Sequence, residues 1–298
     1  MTDRGKRVGV IGLGAMGFGM ASSLRRTGFE VAGFDPSPAA QDRARAAGIA
    51  VQGRPEAVFD ASDTVVLSLP TAQHVETVVT DAVAAGHLSA GTPKLIIDSS
   101  TSEAAVSRRL ASSLQDAGHG FLDAPVSGGP SGAMNGQLSV MLGGDEAWVE
   151  QALPVLEAMA SKILHVGASG AGNVAKLVNN MLVAAHMMTT AEGLRLAEAA
   201  GLGAGDALRV INAATGRSAL SEVHFPNWVL SGSFDSGFST GLMRKDLRLA
   251  REMAAGLDCG LPVADLVADL WSEDRSGLRD ADDFMLMGDP QRKPKETV

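Results

Sequence analysis

Lys176 and Asn180 stand four positions apart in an apolar, helix-forming stretch that runs from Asn173 to about Ala200 without a proline. At that spacing both side chains share one face of a helix. A lysine in such surroundings is costly to keep charged, so without a partner or a task it loses its proton or extends to solvent. Two readings of Lys176 follow: a proton-transfer residue, or a first-turn lysine reaching water.

A second constellation lies near the start of the chain. Val8-Gly9-Val10-Ile11 is an apolar run that turns through Gly12-Leu13-Gly14-Ala15-Met16-Gly17 into the helix-like Phe18 to Arg26. In a strand–turn–helix of this kind, Gly12 permits the tight turn, Gly14 lets backbone approach a pyrophosphate, and Gly17 lets the helix pack closely on the strand. The helix start then offers free N–H groups to phosphates. A second apolar stretch, Phe29 to Phe34, ends on Asp35. A carboxylate there accepts hydrogen bonds from ribose hydroxyls and repels a 2′-phosphate, which favours NAD over NADP. Pro36-Ser37-Pro38 supplies no phosphate-clamping arginine, and Arg43 and Arg45 fall further along the next helix. The competing reading of Asp35 is a turn or helix-cap residue.

Further strands must position these groups. Thr64 to Leu69, closed by Pro70, and Lys94 to Asp98, followed by Ser99-Ser100-Thr101, are apolar without alternation, as in a parallel sheet covered on both faces. Ligands in such sheets sit outside the carboxyl ends of the strands, which directs Leu69, Pro70 and Thr101 to a cofactor crevice; ordinary β-to-α loops are the alternative. The strand Gly120 to Asp123 runs into Ala124-Pro125-Val126-Ser127-Gly128-Gly129. The Ser127 hydroxyl with the amides of Gly128 and Gly129 is either a nest for a substrate carboxylate or part of a flexible surface loop. Gln137 to Leu142 and a short strand around Ile163 to Val166 complete the β signals. Beyond about Gly167 only helical patterns follow, near Ala204 to Ala214, Leu242 to Ala255 and Val263 to Trp271, with loops at Gly216-Arg217 and Gly237 to Thr240.

The expected architecture is an N-terminal Rossmann-type doubly wound α/β sheet over residues 1–166 and an all-α domain over 167–288, joined by the long interdomain helix, with a mobile tail at 289–298. The long helix is apolar on most of its circumference, which points to burial between domains or in a homodimer or homotetramer. A net charge of −9 without a basic run argues against nucleic acid. No apolar run reaches membrane-spanning length, and the first residues leave no room for a signal peptide. Cys259 alone allows no internal disulfide, in keeping with a cytoplasmic enzyme. The six histidines show no metal-ligand spacing, so no metal is expected.

Six motifs in order, Gly12 to Gly17, Leu69-Pro70, Asp98 to Thr101, Asp123 to Gly129, Gly172 to Asn180 and Lys245-Asp246-Leu247, resemble the β-hydroxyacid dehydrogenase family over residues 8 to about 287. Within it, Thr215 to Ser218 and Gly237 to Leu247 are most similar to the 3-hydroxyisobutyrate dehydrogenases. Tartronate semialdehyde reductases and threonate dehydrogenases share most of these motifs. The resemblance implies NAD as cofactor, a small carboxylate substrate, Lys176 as general acid/base with Asn180 as its helper, Ser127, Gly128 and Gly129 on the substrate carboxylate, and Lys245 at the nicotinamide end. His74 stands where the family often has asparagine and is assigned to the cofactor. Lys245-Asp246 is otherwise a plain surface ion pair. Ala219 and Leu220 follow Gly216-Arg217 where an aromatic residue is expected. A non-catalytic NAD(H) sensor would have no need of Lys176.

Overall fold

The computed structural model describes residues 6–89 and 91–292. The chain forms two compact units, Met1–Lys176 and Leu177–Val298. The division falls inside the long helix rather than at residue 166, because the first turn of that helix is fastened to the sheet.

The first unit runs β1 (Arg7–Ile11), α1 (Ala15–Arg26), β2 (Glu30–Phe34), α2 (Pro38–Ala46), β3 (Ala50–Val51), α3 (Pro55–Ala61), β4 (Thr64–Leu67), α4 (Ala72–Ala84), β5 (Leu95–Asp98), α5 (Ala104–Asp116), β6 (Gly120–Asp123), β7 (Val126–Ser127), α6 (Gly129–Asn135), β8 (Leu138–Gly143), α7 (Glu146–Met159) and β9 (Ala160–Gly167). The parallel part of the sheet has the order β3-β2-β1-β4-β5-β6. Both neighbours of β1 are parallel to it, and the order reverses between β1 and β4, which places a ligand crevice at their carboxyl ends. Neighbouring residues of one strand feed opposite cores. Val66 and Ile97 pack in one apolar cluster, while Val65, Leu67 and Ile96 pack in the other. That two-sided burial is why these strands read as unbroken apolar runs.

Beyond β6 the next strand in the sheet, β8, runs antiparallel to β6 and β7, while β9 pairs with it in parallel. Asp123 pairs with Gly143, the chain steps round Ala124-Pro125, and β7 resumes along the same edge with Val126 opposite Val140 and Ser127 opposite Ser139. The glycine-rich stretch expected as a possible loop is therefore strand, turn and helix. α6 exists because of packing: a Cβ on Gly19 of α1 would lie 2.8 Å from the Ala133 Cβ, so only glycine lets the two helices meet. α3 and α6, seven residues each, are too short to show a helical period in sequence.

The long helix, α8 (Ala171–Ala199), leads into the second unit, followed by α9 (Ala204–Ala213), a π-helical segment (Leu220–Val229), α10 (Thr240–Gly256) and α11 (Pro262–Trp271). Their core gathers Ala184, Met187, Ala191 and Leu194 of α8 with Phe225, Met243, Leu247, Trp271 and Phe284. Burial of α8 is one-sided here, since Val178, Leu182 and Leu196 keep 41%, 48% and 72% of their surface. The π-helical segment has no counterpart among the expected elements: its buried Leu220, Phe225 and Val229 follow no 3.6-residue repeat, and Pro226 sits inside it. Of the expected tail, Arg292 is tied in, its carbonyl accepting from Arg195 at 3.0 Å and its guanidinium donating to the Ser276 carbonyl. Residues 293–298 lie outside the described residues. Among the described residues no helix is long and apolar enough to cross a membrane, and no three His, Cys, Asp or Glu side chains converge as metal ligands.

Candidate active site

The glycine turn is built as its spacing demands. Gly12 has φ +91°, and a Cβ there would lie 2.2 Å from the Ser68 carbonyl oxygen. A Cβ on Gly17 would lie 1.8 Å from the Gly12 carbonyl oxygen, closing the strand–helix contact to any other residue. Gly14 differs. A Cβ at this position would meet nothing within 4 Å, and no side chain caps α1. The first amides of α1 therefore keep their capacity for an anion, and the open side of Gly14 suits a pyrophosphate. Leu13 is buried below the turn, while Ala15 lies exposed on its rim and Met16 is half-buried.

Asp35 directly follows β2, beside this turn. Its carboxylate accepts from the Leu13 amide at 2.7 Å and the Ser37 amide at 2.8 Å. Both the turn role and the ribose role are compatible, because a carboxylate offers about four acceptor sites and these two amides occupy only two. Arg43 lies nearer than its place in the sequence suggested. From α2 it donates to the Leu13 carbonyl at 2.6 Å and stacks 4.5 Å from the centroid of the Phe18 ring. Leu13 is thus clamped at both its N–H and its C=O.

At the carboxyl end of β4 the Leu69 amide donates to Ser100 Oγ at 2.9 Å, joining the ends of β4 and β5. Thr101, half-buried, follows directly, and Pro70 is exposed. Thr71 caps α4, accepting from the His74 amide, and its hydroxyl lies 2.7 Å from His74 Nδ1, so His74 is held in the first turn of that helix. Ser127 is half-buried at the end of β7, and Gly128 and Gly129 have φ +128° and +64°. These positive values turn the chain from strand directly into α6.

The second turn of α8 carries Lys176, which is 7% exposed. The extension into water considered from sequence is therefore not what the lysine does. Asp123, fully buried at the end of β6, accepts from the Gly170 amide at 2.6 Å and the Asn173 amide at 3.0 Å. Burial pushes its carboxyl above the usual range, and the helix-start amides work against that rise.

In the second unit, Asn180 is 4% exposed and donates through Nδ2 to Asp246 Oδ2 at 2.6 Å. Its Oδ1 accepts from Asn179 at 3.0 Å. Lys245 Nζ stands 3.5 Å from Asp246 Oδ1. With Asp246 only 2% exposed, this is not the surface ion pair that adjacency in sequence suggested. Asp246 was not foreseen as part of a polar site. The signal was present: along α10 the buried residues Met243, Asp246, Leu247, Ala250 and Ala254 form one stripe, in which a carboxylate is out of place.

Sheet order, glycine turn and buried lysine together define a nicotinamide-dependent oxidoreductase built on a Rossmann-type unit with a helical partner unit. The chain belongs to the β-hydroxyacid dehydrogenase family. Residues 7–167 match the family model described as the NAD binding domain of 6-phosphogluconate dehydrogenase, and residues 170–288 match that described as NAD-binding of NADP-dependent 3-hydroxyisobutyrate dehydrogenase. The chain is 40% identical to a probable 3-hydroxyisobutyrate dehydrogenase of Mycobacterium bovis, over 92% of this chain and 94% of that one. It is 36% identical to an NAD-dependent L-serine dehydrogenase of Pseudomonas aeruginosa, over 89% and 91%. The solved structure of Mycobacterium tuberculosis 3-hydroxyisobutyrate dehydrogenase with L-serine superposes with a TM-score of 0.86 at 37% identity, covering 95% of this chain and 98% of that one. The protein is accordingly an NAD-binding dehydrogenase of hydroxy acids.

Proposed function

We propose that the protein oxidises a short β-hydroxy acid of the 3-hydroxyisobutyrate type to its semialdehyde with NAD, using Lys176 as general acid/base. The observation that carries this reading is the buried lysine side chain in the second turn of α8. Burial disfavours the charged form of an amine and so brings its proton nearer to exchange at the working pH, which suits an acid/base.

Gly12 to Gly17 and the first amides of α1 would hold the pyrophosphate, and Asp35 the ribose, with Leu69, Pro70, His74, Thr101 and Lys245 assigned to the same cofactor. Bound NAD supplies the hydride acceptor for the carbinol carbon. In oxidation the neutral amine of Lys176 takes the hydroxyl proton as the C–O bond becomes C=O. In reduction the ammonium returns a proton to the same oxygen and stabilises the negative charge developing on it. Asn180, one turn further along α8, can hold that oxygen or the amine by hydrogen bonding without gaining charge. Ser127 and the amides of Gly128 and Gly129 are assigned to the substrate carboxylate.

3-Hydroxyisobutyrate and L-serine are both 3-hydroxypropanoates and differ only in the group on C2, apolar in one and cationic in the other. The substrate class proposed is therefore the 2-substituted 3-hydroxypropanoates. Initial rates with NAD⁺ and NADP⁺ against 3-hydroxyisobutyrate, L-serine, glycerate and threonate test it, with NAD⁺ and the first substrate expected to give the highest kcat/KM. For Lys176→Ala we expect kcat to fall by about 10³-fold, within the usual range for a positioned acid/base, while NAD still binds. Near-normal turnover in that variant would remove Lys176 from the chemistry.

A further inference from the structure

We infer that Asp123 is the positioning residue for Lys176: its buried carboxylate pins the first turn of α8 to the end of β6 and so fixes where the lysine amine can reach. The inference rests on the proposed proton-transfer role of Lys176.

A helix is ordinarily capped by the residue just before it. α8 is capped from a distance of 47 residues by a strand end, with Oδ1 on the Gly170 amide at 2.6 Å and Oδ2 on the Asn173 amide at 3.0 Å. Both bonds come from amides at the helix start that lack intrahelical partners, so each carboxyl oxygen is oriented by a fixed main-chain donor. The surroundings leave the carboxylate no freedom. A Cβ on Gly143 would lie 2.7 Å from both of its oxygens, and one on Gly172 would lie 2.9 Å from Oδ2 and 2.4 Å from the Met141 carbonyl oxygen. Glycine at these two places lets strand, acid and helix start close on one another.

A second fastening reinforces the first. Asn173 is fully buried, accepts from the Ser102 amide at 3.3 Å and donates to Ser107 Oγ at 2.7 Å. The helix start is thereby tied both to β6 and to the beginning of α5. Lys176 follows Asn173 by nearly one turn, so any slide or rotation of that turn moves its amine directly. Proton transfer is sensitive to such movement, since a misplacement of about 1 Å can cost on the order of 100-fold in rate.

The test is Asp123→Asn, which keeps the shape but presents an NH₂ group to one of two N–H donors. Three readouts are taken: kcat per NAD-binding site, the isotope effect on kcat with substrate deuterated at the carbinol carbon, and amide hydrogen exchange over residues 168–178. The substrate is 3-hydroxyisobutyrate or L-serine, whichever the wild type turns over faster. We expect kcat per site to fall by about 30–100-fold, the isotope effect to rise, NAD affinity to change by less than about threefold, and exchange at the Gly170 and Asn173 amides to quicken by at least about tenfold. A cap that served stability alone would lower the number of competent sites and leave both kcat per site and the isotope effect at wild-type values. That result overturns the inference, as does unchanged exchange. Asn173→Ala, which keeps the backbone bond to Asp123 and loses the ties to Ser102 and Ser107, should move the same readouts in the same direction by a smaller factor, and decides the matter if Asp123→Asn does not fold. The Lys176→Ala variant separates the two ideas. Turnover retained there removes the proton-transfer reading, whereas turnover lost there beside a normal Asp123→Asn removes only the positioning role.

Discussion

Two buried carboxylates serve the two units in opposite ways. Asp123, in the first unit, accepts with each oxygen from a backbone amide, so its geometry is set by the course of the chain. Asp246, in the second unit, meets side chains: Asn180 Nδ2 at 2.6 Å on one oxygen and Lys245 Nζ at 3.5 Å on the other. Among the described residues its Oδ1 has no hydrogen bond, and the Lys245 side chain is 18% exposed. Backbone donors cannot rotate away and lock a helix in place. Side-chain donors can swing, so the second site is held by rotamers and charge rather than by main chain.

The sharpest way to break this contrast is Asp246→Asn. It removes the charged acceptor of a hydrogen bond worth about 1.5–3 kcal/mol, so about a 10- to 100-fold loss in kcat/KM is expected if Asn180 acts beside Lys176. Hydrogen exchange at the Gly170 and Asn173 amides should stay at the wild-type rate, because those amides answer to Asp123. Faster exchange there on removing Asp246 would show that the two acids are not independent devices.

A smaller effect is expected from the cofactor side of the first unit. Asp35→Ala should raise KM for NAD⁺ by about tenfold and improve the ratio of NADP⁺ to NAD⁺ use, since two acceptor sites for ribose hydroxyls and one repulsive charge disappear together. The Leu13 and Ser37 amides also lose their acceptor, so a thermal melt must accompany the rates. An unchanged cofactor ratio with a lowered Tm would make Asp35 a turn residue only.

What the sequence disclosed and what it hid divide along similar lines. Gly12 and Gly17 were legible because local backbone geometry demands glycine at that fixed spacing. The sheet up to β6 was legible because two-sided burial leaves unbroken apolar runs. The 29-residue α8 was legible from its length and its lack of proline. Remote partnerships were not. Nothing near Asp123 in sequence marks it as the cap of a helix beginning at Ala171, and Lys245-Asp246 reads as a solvated pair until α10 turns the carboxylate inward. The β7–α6 segment looked too glycine-rich for regular structure, because the reason for its helix is the missing side chain of Gly19 on another element. The π-helical stretch escaped for want of a 3.6-residue period.

The smallest expected effect concerns a third titratable group, His224 of that π-helical segment. Its Nδ1 lies 3.2 Å from the Ala219 carbonyl oxygen, and its ring centroid is 5.2 Å from that of Trp228 and 6.4 Å from that of Phe284. Burial pushes the imidazole below its ordinary value of 6.5, with the Ala219 carbonyl pulling the other way. The unfolded chain therefore takes up a proton first as the pH falls. The contribution of His224 to stability is complete above 6.5 and is lost as the pH drops toward the folded-state value. Asp123 has the opposite sign: its raised carboxyl favours the folded state when protonated, and that advantage fades as the pH rises through the folded value. His224→Gln should consequently flatten the decline of Tm between about pH 7 and pH 5 without altering behaviour near pH 4, where carboxylates dominate. A variant whose Tm falls as steeply as that of the wild type over this interval would show that His224 takes its proton in the folded chain as readily as in the unfolded one, and that the aromatic cluster does not withhold it from water.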